Sequence, residues 1–250
     1  MNSRDSTRMD TEVNLTDDQK TQEYFDKYVP KYGQYRFKFM TAFLNEHAKP
    51  GESLIDVGCG TGKTLKLVKG STPIKHLAGL DVSASSLRAT SEATGCETEH
   101  GSILDQNFVD SRDSKYDYAV LGAVLHHVIE KNRAECNTSA RLTIANSLRL
   151  VRPGGYLFIM EPTFEPRFMI WLVFWLKKMV GPFVPGRLHV GPEWINIGHP
   201  IVSYYSERQL ADMVNPQNTE IVQHYVHGRG SKLAFLKLAN IGYILKRPVS

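Results

Sequence analysis

The chain has 250 residues, 42% of them hydrophobic, 22% charged and 10% aromatic, which suits one large α/β domain with additions and is short for two. Its formal charge of +4 is spread out, with no run of five basic residues, so it reads as a solvated surface and no nucleic-acid partner is expected. Cys59, Cys96 and Cys136 are odd in number and form no C-x-x-C pair, which argues against a disulfide framework or zinc knuckle and for a reducing, cytoplasmic setting.

Residues 1–20 are polar, carry no apolar signal core, and read as a disordered lead into a single domain over 21–250. The stretch 21–50 reads as a helical cover. Tyr35, Phe39, Ala42 and Phe43 share one helix face, "KPGE" ends it, and Pro30 and Gly33 split it in two. "SLIDV" from Ser53 is a short first strand, "KTLKLVK" a helix with Leu65 and Val68 on one face, and "HLAGLDV" a second strand. Ser83 caps the helix "SASSLRATSEAT" by accepting a backbone N–H. "CETEHG" and "YDYAVLGA" are the third and fourth strands. A helix around "SARLTIANSLRLV" puts Ile144, Leu148 and Val151 on one face, "RPGG" reads as a turn, and "YLFIME" is the fifth strand.

This alternation predicts right-handed βαβ crossovers and an α/β, Rossmann-like fold: an open, mostly parallel seven-stranded sheet with helices on both faces. The rhythm breaks over 162–206, read as a helical, substrate-covering insertion after strand five, and resumes at "SERQLADMV", where Ser206 and Gln209 make a capping box. "TEIVQHYVHG" and "SKLAFLKLA", joined by a turn at Gly228–Gly230, are expected to end the sheet as an antiparallel hairpin.

The stretch "LIDVGCGTGKTL" concentrates the chemistry. Gly58, Gly60 and Gly62 sit where a buried strand turns into a helix, so a ligand can lie against bare backbone near the positive helix end. Asp81 closes the second strand, where a carboxylate can accept both hydroxyls of a ribose. The spacing is G-x-G-x-G with Asp56 two residues ahead. A dinucleotide fingerprint more often reads G-x-G-x-x-G with an apolar residue at the place of Asp56; a carboxylate there suits a ligand ending in an amino group.

Together "LIDVGCGTG", "LAGLDVS", "YDYAVLGAVLHHV" and "LRLVRPGGYLFIMEP" resemble the class I S-adenosylmethionine-dependent methyltransferases. The resemblance implies S-adenosylmethionine as cofactor and S-adenosylhomocysteine as product. It implies that Gly58, Gly60 and Gly62 admit the methionyl part, while Asp56 orders the turn or reaches the ammonium through water. Asp81 would hold the ribose, with Val82 against the adenine. Ser102 and Ile103 stand where the family commonly has an acid for the adenine amine. Gly122 and Ala123 would lie near the sulfur, and Cys59 and Thr61 would contribute backbone from within the turn.

His126 and His127 follow the fourth strand at its carboxyl end, where open α/β sheets bind ligands, and one of them is a candidate general base. Glu161, ending strand five, is the other catalytic candidate. The nine histidines make no recognised ligand spacing, so no metal is expected; His224 and His227 should point to opposite faces of their strand.

In the insertion, 168–176 is apolar all round when drawn as a helix, far short of the roughly 20 residues that span a bilayer, so it should be buried, paired or dipped into lipid. A lid, a dimer contact or a peripheral membrane contact through 168–184 would each serve, and Lys177, Lys178 and Arg187 would suit an anionic surface. Trp171, Trp175, Tyr204 and Tyr205 could clamp a ring, His189 or His199 could reach the acceptor, and Tyr32 could close over the cofactor. The expectation is therefore methyl transfer to a small or lipid-like acceptor, with oxygen preferred over carbon or nitrogen of a quinone-like or other metabolite. Rivals are a nucleic-acid or protein methyltransferase, which would need a basic groove or an Asn/Asp-Pro-Pro-aromatic motif, and a non-catalytic methyltransferase-like partner subunit.

Overall fold

Short strands that bury both faces organise the molecule. In β1 (Ser53–Val57) every residue after the first is buried, and β2 (His76–Asp81) and β4 (Tyr116–Gly122) bury four consecutive residues each, the pattern of parallel strands covered on both sides. The computed structural model describes residues 37–180, 188–189, 196–197, 201–215, 219–233 and 236–249. With β3 (Glu97–His100), β5 (Val151–Glu165), β8 (Glu220–Leu233) and β9 (Leu236–Lys246), these strands form one seven-stranded sheet in the order β3-β2-β1-β4-β5-β9-β8. The first five pair in parallel, and β9 and β8 fold back as the expected antiparallel hairpin. The winding reverses between β1 and β4, which opens a crevice at their carboxyl ends.

Helices cover both faces. On one side α1 (Lys38–His47) and α2 (Lys63–Ser71) bring Phe39, Met40, Phe43, Leu65 and Val68 onto Leu54, Val120 and Phe158. On the other, α5 (Arg133–Leu150) and α7 (Glu207–Val214) bring Ile144, Leu148, Leu210 and Met213 onto Ile55, Ala119 and Ile159. α3 (Ala84–Thr94) starts at Ser83, whose side chain accepts from Ser86 N as expected, and α7 starts at the capping box of Ser206 and Gln209. His224 stacks on Tyr243 while His227 stacks beside Tyr225, the latter lying on Phe39, so the two histidines do lie on opposite faces.

Several boundaries differ from the sequence reading. A short helix α4 (Gln106–Asp110), capped by Asp105, precedes β4, and α5 begins at Arg133, where the Asn132 side chain accepts from Ala134 N and Glu135 N. "RPGG" is no free turn. It sits inside β5 as a bulge, where the register jumps from Tyr116↔Val151 to Tyr118↔Tyr156 and Gly154 takes φ +78°. Gly228–Gly230 is likewise a bulge inside β8 and not the hairpin turn, because pairing runs on to Leu233 opposite Leu236. β5 also outruns the expected boundary at Glu161, pairing with β9 as far as Glu165↔Lys237.

α6 (Arg167–Val180) then follows, and among the described residues no helix is long and apolar enough to cross a membrane. Of the expected alternatives for α6, full burial is not what is seen: Ile170, Phe174 and Lys177 face inward, while Phe168, Trp171, Leu172 and Met179 face out. A helix one layer from the surface has only one stripe to bury. Two short strands, β6 (Leu188–His189) and β7 (Asn196–Ile197), pair beyond it.

Candidate active site at the carboxyl ends of β1, β2, β4 and β5

The glycine turn is tied to the end of β2. Gly58 N and Cys59 N donate to Leu80 O, Gly60 N donates to Asp81 Oδ2 at 2.9 Å, and Ser83 N donates to Asp81 Oδ1 at 2.9 Å. Asp81 thus couples the turn to the start of α3 and keeps a free lone pair on each oxygen. All three glycines have positive φ, but their surroundings differ. A Cβ on Gly58 would lie 2.7 Å from Val124, and one on Gly62 would lie 2.9 Å from Thr90; one on Gly60 would meet nothing within 4 Å. A side chain would therefore clash at Gly58 and at Gly62; Gly62 is buried, whereas Gly58 is exposed and Gly60 partly so, and these two present bare backbone.

Asp56 lies beneath, 2% exposed, with no hydrogen-bond partner for Oδ2 among the described residues. Burial, then the charge of Asp81, pushes its carboxyl up to about 8, against the opposing hydrogen bond of Thr64. Cys59 packs under the turn, its Sγ 3.9 Å from Thr90 Oγ1, and burial followed by the two carboxylates pushes its thiol up. It is a packing residue. Thr61 is partly buried beside it. Val82 is 59% exposed at the mouth, with its carbonyl 3.0 Å from His100 Nε2. Ser102 turns its hydroxyl to Leu104 N, and Ile103 is buried with its carbonyl accepting from Asn146 Nδ2 at 2.7 Å; neither supplies an acid at that place.

At the end of β4, Ala123 takes the left-handed conformation at φ +64° and donates its N–H to Met160 O. For a residue with a Cβ this is strained backbone, of the kind that gathers at functional sites. Gly122 is covered by the ring of Phe37, whose Cζ would be 2.9 Å from a Cβ there. Sequence reasoning missed Phe37, because only the docking of α1 brings it to β4.

Glu161 is fully buried, and its oxygens hold the tight turn Leu125–His127: Oε1 accepts from Val124 N and Leu125 N at 2.6 Å each, and Oε2 lies 2.7 Å from His126 Nδ1. It is a positioning residue. His126 is buried too, stacked on Tyr204 at 5.2 Å, with its carbonyl accepting from Ser203 N. His127 is only partly buried. Burial, then the neighbouring His126, pushes its imidazole well below the usual histidine range, with Lys177 adding to the effect and Glu161 opposing it. It is therefore neutral at pH 7, and a weaker base than an ordinary histidine.

The inserted region reaches this site through some of the expected residues. Tyr205 is fully buried with its hydroxyl on Cys136 O at 3.3 Å, an anchor and not a clamp. Tyr204, between His126 and Phe164, does border the site. Trp171 is 58% exposed and packs edge-on with Trp175. Arg133, also unforeseen, donates from Nη1 to Ser203 Oγ at 2.6 Å with its guanidinium over the rings of Phe174 and Tyr205. Lys177 is 2% exposed, and Lys178 Nζ donates to Glu130 O and Lys131 O. Lys177 thus turns inward, whereas Lys178 is only partly buried. His189 is in β6 with its side chain outside the described residues, and Tyr32, Arg187 and His199 lie outside them altogether.

Seven strands wound in this order, with the last two returning as a hairpin, define the Rossmann-like class I domain of S-adenosylmethionine-dependent methyltransferases, whose cofactor is S-adenosylmethionine. Within that class the chain belongs to the methyltransferase domain family, whose model matches residues 32–224. A tRNA (carboxymethyluridine(34)-5-O)-methyltransferase of Arabidopsis thaliana is 27% identical over 79% of this chain and 46% of its own length. An uncharacterized 37.1 kDa protein in transposon TN4556 of Streptomyces fradiae is 32% identical over 47% of this chain and 32% of its own. The chain thus spans less than half the length of either curated relative. A crystal structure of a Methanosarcina mazei S-adenosylmethionine-dependent methyltransferase superposes with TM-score 0.57 at 19% identity, over 83% of this chain and 98% of that one, a likeness of fold.

Proposed function

We propose that this protein transfers the methyl group of S-adenosylmethionine to an oxygen of a small or lipid-like acceptor at the carboxyl ends of β4 and β5. The observation that carries the reading is His127, a partly buried neutral imidazole beside the strained end of β4. The bare backbone of Gly58 and Gly60 suits the amino-acid end of the cofactor, and Asp56 beneath them would order the turn or reach the ammonium through water. Asp81 holds the ribose with its remaining lone pairs, and Val82 meets the adenine edge.

The cofactor, when bound, supplies an activated methyl group for in-line displacement. The chain's share is to align the acceptor, exclude water and take the acceptor's proton at His127. Glu161 and His126 fix the turn that aims His127, and Tyr204 walls the acceptor side. Buried Lys177, with an outward apolar stripe on α6, favours a greasy acceptor over a polyanion. That stripe is our proposed membrane or dimer contact.

A second reading is an oxygen on tRNA, favoured by the name of the Arabidopsis thaliana relative. Incubation with methyl-labelled S-adenosylmethionine, a total lipid extract and bulk tRNA separates the two. Label in an organic-soluble product is expected. Label in tRNA alone would replace the proposal, and cofactor binding with no transfer to any acceptor would favour the non-catalytic partner.

A further inference from the structure

α6 carries apolar side chains on two opposite sides. Ile170 and Phe174 are buried against the domain. Lys178 Nζ donates to Glu130 O and Lys131 O, which seats the helix beside the segment that follows His127. The other side lies open among the described residues: Phe168, Trp171, Leu172, Leu176 and Met179 stand 37–68% exposed. At i, i+3, i+4, i+8 and i+11 they share one face. The helix holds no acid, and exposed Arg167, four residues before Trp171, lies on the same side. An apolar stripe of this kind, on the order of 500 Å², is at the upper end of what a soluble monomer exposes. It falls short of the roughly 800 Å² that a stable protein partner covers on each side. Tryptophan, phenylalanine and leucine beside a base, with no acid, are instead the composition of a helix that lies in the headgroup layer of a bilayer.

We infer that α6 is an interfacial membrane-docking helix, its outer stripe entering the headgroup layer of a lipid bilayer with Arg167 at the level of the phosphates. The inference deepens the transfer to a lipid-like acceptor proposed above and rests on that reading for the acceptor's route. With its inner side on the domain and its outer side in lipid, α6 is the one layer between the bilayer and the segment 127–131. A helix is about 10 Å thick, so an acceptor leaving the bilayer beside α6 reaches the carboxyl ends of β4 and β5 without crossing bulk water. At 14 residues, about 21 Å, the helix is too short to span the bilayer and long enough to lie along it.

The test is flotation of the full chain with vesicles of phosphatidylcholine alone and of phosphatidylcholine with phosphatidylserine, beside sedimentation velocity without lipid. The wild-type protein should float with both, about fivefold more tightly with the anionic vesicles. Phe168→Glu combined with Trp171→Glu should weaken partition at least tenfold. Trp171→Phe should retain it, and Arg167→Gln should remove the anionic preference alone. S-adenosylmethionine affinity within twofold of wild type shows that each variant is folded. No flotation of the wild-type protein, or flotation unchanged in the double glutamate variant, would overturn the docking. A lipid-free dimer that the double variant splits into monomers would give the stripe to a second copy of the chain and overturn it too. Labelled methyl in tRNA alone, with flotation as expected, would instead remove the lipid-like acceptor and its route while the docking stands.

Discussion

At the scale of single residues, Asp56 makes a sharp prediction. Its folded carboxyl titrates at about 8 against an ordinary 3.8, so between those values the folded protein holds a proton that the unfolded chain has lost. The sign follows: stability of the cofactor-free protein falls as pH rises from about 4 through about 8. Asp56→Asn, which removes the titration, should melt at least about 3 °C above wild type at pH 8 and show little gain at pH 4. The same variant should bind S-adenosylmethionine about tenfold more weakly, because an amide cannot receive an ammonium as a carboxylate does. Differential scanning calorimetry at the two pH values, with a binding titration, checks both. His127 predicts the reverse kind of profile. Its imidazole is held below the usual range, so kcat should stay level down through pH 6.5 and fall only below it. His127→Ala should lower kcat about 100-fold with little change in cofactor affinity. An acidic limb centred at an ordinary histidine value would contradict the assignment.

At the scale of elements, α6 and α5 behave differently under mutation. The outward stripe of α6 is already in solvent, so Trp171→Glu should leave the melting temperature within about 1 °C. If that stripe contacts lipid, the variant should also lose co-sedimentation with vesicles; unchanged sedimentation would count against the membrane arm of the proposed contact. α5 instead depends on its cap. Asn132 accepts from two backbone N–H groups, so Asn132→Ala should cost about 1 kcal/mol, read as a shift of the urea midpoint at constant slope. Because α5 carries Arg133, which ties Ser203 to Phe174 and Tyr205, fraying there should also raise the KM for the acceptor.

At the scale of the whole molecule, the proposed cofactor seat is shared by β1, β2, β4 and α1, so occupancy should stabilise all of them together. S-adenosylmethionine at about 100 times its Kd should add about 2.7 kcal/mol, raising the melting temperature by about 5–10 °C. Asp81→Ala should abolish most of that rise by removing the ribose acceptor and the tie to Gly60 N. Thermal-shift curves at graded cofactor concentration measure this. A full rise in the variant would place the cofactor elsewhere.

What the chain's order of residues determined by itself was local and periodic. Buried apolar runs marked β1, β2 and β4, the serine caps Ser83 and Ser206 marked two helix starts, and G-x-G-x-G with Asp56 and Asp81 marked the proposed seat, because each depends on neighbours a few residues away. Bulges at Gly154 and Gly228 looked like turns, since a positive φ reads alike in both and only the partner strand tells whether pairing continues. Tertiary structure alone decided that Gly62 is buried while Gly58 is exposed, that Glu161 holds a turn, and that Lys177 points inward. It alone put Phe37 on Gly122. Burial, desolvation and contact across 85 residues of chain come from packing, and no pattern along the sequence carries them.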